Sequence, residues 1–223
     1  MRKIIIFLMI IAAATVSVAQ NPLSFYAKAG IGTSRFYGKH SSSETKIAYK
    51  AGVGAEYSLN RTWALQSGLE FVSIGGKDEI SYVGKATLNE LYLQLPVMIA
   101  AKLQLGEDYR AAFSFGPYIA CGVGGKTSGQ IYEDYSSSRP SGGYRFKIDT
   151  FGNMADNNMG NKRLDAGILM GITLTYRRMV FGVEAQVGLM KVNEQLNQVM
   201  NQDGYGHFLP KNFSSFFTLG YRF

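Results

Sequence analysis

From residue 23 onward, apolar side chains recur at every second position. The first run places Leu23, Phe25, Ala27, Ala29 and Ile31 on one parity and Ser24, Tyr26, Lys28, Gly30 and Gly32 on the other. A period of two is the signature of a β-strand whose faces meet different surroundings. Seven more segments repeat the pattern, near 46–57, 63–71, 90–103, 109–123, 163–176, 181–189 and 213–223. They run about 9–15 residues, against about 5–6 for strands of soluble sheets. A strand that crosses a bilayer at its usual tilt needs about 9–11 residues. The pattern predicts an all-β fold: an eight-stranded antiparallel up-and-down transmembrane β-barrel.

The connections alternate in length. Leu59-Asn60-Arg61, Gly106-Glu107-Asp108 and Arg177-Arg178 read as tight turns, and longer links lie near 37–45, 75–87, 124–161 and 191–212. Short periplasmic turns and long extracellular loops are the outer-membrane arrangement.

Glycine indicates which face points inward. Gly30, Gly32, Gly52, Gly54, Gly68, Gly116, Gly167, Gly182 and Gly220 all fall on the polar parity. The apolar parity carries too many large side chains for the interior of eight strands, which holds side chains and little else. The polar parity therefore faces the lumen and the apolar parity faces lipid. The predicted lumen network comprises Lys28, Lys50, Glu56, Glu70, Glu90, Lys102, Arg110, Asp165, Glu184 and Arg222, joined by Gln66, Gln94 and Gln186. Unpaired charge is costly in a narrow lumen, so paired networks are expected. Two readings stand: a polar core that closes the barrel, or a path for protons or ions.

Aromatic rings favour the headgroup level of a membrane. At the short-turn end, Phe25, Tyr57, Trp63, Tyr109, Tyr176, Phe181, Tyr221 and Phe223 fall on the outward parity and read as a membrane-interface girdle. The outward Phe223 on the last strand also reads as the signal taken up by barrel-assembly machinery.

Composition narrows the picture. Of 223 residues, 46% are hydrophobic, 13% aromatic and only 17% charged. Mean hydropathy is nevertheless close to zero, at −0.03. Residues 1–19 have a basic start (Arg2, Lys3), an apolar stretch and small residues at Ser17 and Ala19. That is the form of a secretory signal peptide, leaving 20–223 as the barrel domain. Without Arg2 and Lys3 the balance is 21 basic to 16 acidic residues, too sparse for a nucleic-acid binder. The lone Cys121 excludes a disulfide scaffold and reads as a small lipid-facing side chain. Gly30-Ile-Gly32 and Gly122-Val-Gly124-Gly125 lack the flanking elements of a nucleotide loop, and their spacing is strand parity. His40 and His207 both fall in predicted loops. No catalytic set, metal site or cofactor is expected. Pro96 and Pro117 sit within strands, where a missing N–H points to a shared break in pairing.

Leu91-Tyr92-Leu93-Gln94-Leu95-Pro96, Gly116-Pro117-Tyr118, Asp165-Ala166-Gly167 and the final Leu219-Gly220-Tyr221-Arg222-Phe223 resemble the PorT-type outer-membrane β-barrel proteins of Bacteroidetes, often called a porin family. The resemblance implies an eight-stranded barrel in the outer membrane with no common catalytic residue. The expected role is structural or interactive: adhesion, envelope integrity or a secretion accessory. The alternative is a narrow porin for small solutes or ions. Partners expected are outer-membrane lipid and an extracellular ligand or protein at the 124–161 and 191–212 loops. Those loops are rich in the small polar residues that suit exposed binding segments.

Overall fold

The computed structural model describes residues 22–38, 43–80, 84–131, 143–195 and 210–223. The signal segment at 1–19, both histidines and most of the 191–212 loop lie outside them. The described residues form ten strands. They are β1 (Leu23–Tyr37), β2 (Lys46–Ser58), β3 (Trp63–Ile80), β4 (Gly84–Gln104), β5 (Tyr109–Gly124), β6 (Lys126–Ile131), β7 (Tyr144–Asp149), β8 (Leu164–Tyr176), β9 (Met179–Gly188) and β10 (Lys211–Arg222).

Eight of them close a barrel. Each of β1 to β4 pairs with the next, β5 pairs with β8, and β8, β9 and β10 follow in order. β10 then returns to β1, from Tyr26 opposite Arg222 to Tyr37 opposite Lys211. All these pairings are antiparallel, so every barrel edge is satisfied, as lipid requires.

The short turns have local causes. The Asn60 side-chain Oδ1 accepts from the backbone N–H of Thr62 and Trp63, at 2.8 and 2.7 Å. Arg177 takes a positive φ of 52°, which a two-residue hairpin demands.

The long links are more regular than their sequence suggests. The 75–87 link is largely a hairpin: β3 continues to Ile80 and β4 begins at Gly84. Within 124–161, β6 pairs with β7 and lies against β4, with Ala86 opposite Gly129 and Leu88 opposite Thr127. The sheet thus continues above the barrel. Phe36, Ala86, Leu88 and Val192 form a small buried cluster there, backed by Phe146 and Met159.

Both prolines coincide with interruptions. The β4–β5 ladder stops after Pro96 opposite Tyr118 and resumes at Ile99 opposite Phe115. The β3–β4 ladder has a gap between Ser67–Val97 and Glu70–Gln94. The Pro96 carbonyl is taken up by the Ser67 hydroxyl at 2.8 Å. A side chain thereby replaces a ladder bond.

Candidate functional site in the barrel lumen

Burial alternates along the barrel strands at membrane level, with the glycine-bearing parity inside. Three layers of lumen follow, from the short-turn end outward.

The innermost layer centres on Glu56. Its Oε1 faces Arg222 at 2.8 Å and Arg110 at 3.2 Å, and its Oε2 accepts from Gln66 at 2.9 Å. Arg222 also donates to the Ser24 hydroxyl. Lys102 donates to the Ser58 hydroxyl at 2.8 Å.

The middle layer is a closed ring of four charges. Lys28 bridges Glu70 at 2.7 Å and Glu184 at 2.5 Å, and Lys50 bridges the same carboxylates at 2.8 and 2.6 Å. Each carboxylate oxygen meets one ammonium, so the ring is neutral. This matters because the Lys50 side chain has no exposed surface, and an isolated charge there would be very costly. Gln94 lies above, 3.4 Å from both Glu70 and Gln186. The Phe216 ring lies 5.1 Å from the Lys50 ammonium, within cation–π range.

The outer layer differs in kind. Glu90 and Asp165 are buried but form no ion pair within 4 Å among the described residues. Amides and hydroxyls serve them instead. Asn161 donates to Glu90 at 2.6 Å. Tyr118 and Asn212 donate to Asp165 at 3.2 and 3.3 Å. Asn193 steadies Asn161 at 3.0 Å. Lys46, the nearby buried lysine, donates to the Ile74 carbonyl at 3.2 Å. The general expectation of paired charge is therefore corrected here: pairing holds at the inner layers, and neutral donors take over near the outer mouth.

Parity alone misses a second feature. Val72, Ile74, Tyr92, Met98, Tyr118, Leu169 and Phe216 also point inward and form a buried apolar cluster with Phe151. The available signal is the break in alternation, where two or more apolar residues adjoin: Phe71-Val72, Ile168-Leu169-Met170, Phe216-Phe217. Such a run marks a stretch apolar on both faces. Phe151 reaches in from the 124–161 segment and meets Tyr92 edge-on, with ring centroids 5.3 Å apart. Gly122 makes that possible, because a Cβ there would stand 2.5 Å from the Phe151 ring.

Outside, Phe25, Tyr57, Trp63, Tyr109, Tyr176, Phe181, Tyr221 and Phe223 are all exposed at the short-turn end. Tyr109 and Tyr176 adjoin with centroids 4.9 Å apart, and Tyr221 and Phe223 do so at 5.5 Å. Between them and the outer loops stand Ile31, Val53, Leu69, Leu95, Phe115, Ile172, Val183 and Phe217, also exposed. A continuous apolar band around a closed sheet is not a surface that water tolerates. It is the outer wall of a membrane barrel.

Closed sheet, apolar wall and polar interior define the class: an integral outer-membrane β-barrel. Residues 16–193 match the family described as the outer membrane protein β-barrel domain, and the chain belongs to that family. No curated protein matches the chain. Among solved structures, it is similar to Ail, the attachment invasion locus protein of Yersinia pestis, in complex with the heparin analogue sucrose octasulfate. Identity is 11% and the TM-score 0.42, over 90% of this chain and 99% of that one. Neisserial surface protein A is similar at 10% identity and a TM-score of 0.41, over 89% and 95%. The N-terminal β-barrel domain of Pseudomonas aeruginosa OprF is similar at 12% and 0.36, over 89% and 97%.

Proposed function

We propose that this protein is a non-enzymatic, closed barrel whose task is structural or interactive in the cell envelope: adhesion, envelope integrity or support of secretion. The observation that carries this reading is the blocked lumen. The neutral ring of Lys28, Lys50, Glu70 and Glu184 spans the interior, and the Tyr92, Tyr118, Leu169 and Phe216 cluster lies beyond it. Water-filled passage requires removing both. The ordered β6–β7 hairpin and the 191–212 segment then become the surface offered to an extracellular ligand or protein. The PorT-type resemblance of Leu91–Pro96 and Gly116–Tyr118, the export signal at 1–19 and docking of Phe223 on assembly machinery belong to the same reading.

Planar-bilayer recording of the purified protein tests it. The closed barrel yields no stable open steps. Reproducible steps that vanish in a lumen variant would establish the narrow-porin alternative instead.

A further inference from the structure

The innermost part of the lumen is not filled. A space open to solvent lies between the Glu56 layer and the four-charge ring. Arg110, Arg222, Thr173, Thr175 and Thr218 are among the side chains that line it, and Lys28 and Glu184 stand at its floor. We infer that this vestibule binds a small oxyanion of the phosphate class, entering from the periplasmic side.

The argument begins with charge. The ring at the floor is neutral in itself. Above it, two guanidinium groups share a single carboxylate oxygen, Glu56 Oε1, so one positive charge is left over. The mouth adds to this. Beyond that layer, the short-turn end carries Arg61, Lys102, Arg177 and Arg178 against Glu107 and Asp108 among the described residues. A cleft with one dominant sign and low-dielectric walls concentrates the opposite ion.

Donor chemistry narrows the class. Arg110 uses one terminal nitrogen on Glu56, and its buried Nε has no hydrogen-bond partner. Thr173, Thr175 and Thr218 line the same space. A planar guanidinium and several hydroxyls suit the spread oxygens of a phosphate better than a spherical halide. The four-charge ring makes the vestibule blind, so the ligand enters and leaves by the same mouth. Binding of this kind does not depend on whether the barrel conducts.

The test is calorimetric titration of the detergent-solubilised full chain with inorganic phosphate, against chloride at matched ionic strength. Glycerol 3-phosphate in a parallel titration separates the free ion from a phosphate carried on a small molecule. One saturable site for a phosphate group is expected, with none for chloride. Arg110→Gln should weaken it about 10- to 100-fold, the scale of a lost charged hydrogen bond. Arg110→Lys should restore part of the loss, and Thr175→Val should weaken binding while leaving heat-modifiable gel migration unchanged. Lys126→Gln, on the outer hairpin at the far end of the barrel, should leave affinity unchanged. The inference is overturned if neither phosphate compound saturates, or if chloride competes equally. It is also overturned if a correctly migrating Arg110→Gln or Thr175→Val binds like the parent.

Discussion

Lys50 holds two carboxylates from a position with no exposed side-chain surface. Such an arrangement contributes little net stability over apolar packing, yet removing one member leaves the others charged and unpaired. Lys50→Met is expected to cost about 3–5 kcal/mol, read from urea unfolding in lipid vesicles. Adding Glu184→Gln should recover part of that cost, because the removed charge is the one left without its partner. A double-mutant cycle with full additivity would show that the ring does not act as a unit. Glycine carries the other residue-scale effect. Gly167 lies under the Tyr118 ring, and a Cβ there would meet the Val187 carbonyl oxygen at 2.2 Å and the ring at 2.7 Å. Gly167→Ala should therefore lower stability by about 1–3 kcal/mol, the usual cost of overpacking. The same unfolding assay checks it. In the sequence the inward glycines mark the polar face. Several of them seat aromatic rings: Tyr26 over Gly54, Phe151 over Gly122, Tyr118 over Gly167.

At the scale of elements, what the sequence reveals depends on the solvent each face meets. Within the membrane the two faces of a strand meet lipid and lumen, so β2, β5, β8 and β9 show clear alternation. Above the membrane the contrast disappears. The Gly75–Ile80 end of β3 and all of β6 mix polar residues on both parities, and periodicity has nothing to report there. The inward apolar cluster was hidden for a related reason, since it shares a strand parity with charged residues. Phe151 was hidden because it enters from outside the barrel strands altogether. Its ring joins the outer hairpin segment to Tyr92 of β4. Phe151→Ala should loosen that joint without unfolding the barrel. The expected result is faster hydrogen exchange at β6 and β7 amides, with β1, β9 and β10 unchanged. Equal protection in parent and variant would show that the hairpin is held by its pairing to β4 alone.

For the whole molecule, barrel and outer hairpin are two bodies of unequal independence. The barrel satisfies its own backbone through eight ladders that close on themselves, and its lumen closes itself with the charge ring and the apolar cluster. The β6–β7 hairpin depends on the barrel, pairing with β4 over only Ala86–Leu88. Its two ends already adjoin: the Thr150 amide donates to the Gly125 carbonyl at 3.2 Å. Residues 126–149 can therefore be removed and Gly125 joined to Thr150 with little strain on the chain. The shortened protein is expected to reach the outer membrane, retain heat-modifiable gel migration and give no open steps in a planar bilayer. The closure below the hairpin remains in place. If deletion opened a pore, the hairpin would be the gate and the lumen packing insufficient as a seal. If deletion prevented folding, the three-residue pairing to β4 would be part of the barrel's own stability. A closed, folded remnant separates the two tasks: the barrel anchors and seals, and the outer segment is free to vary for recognition.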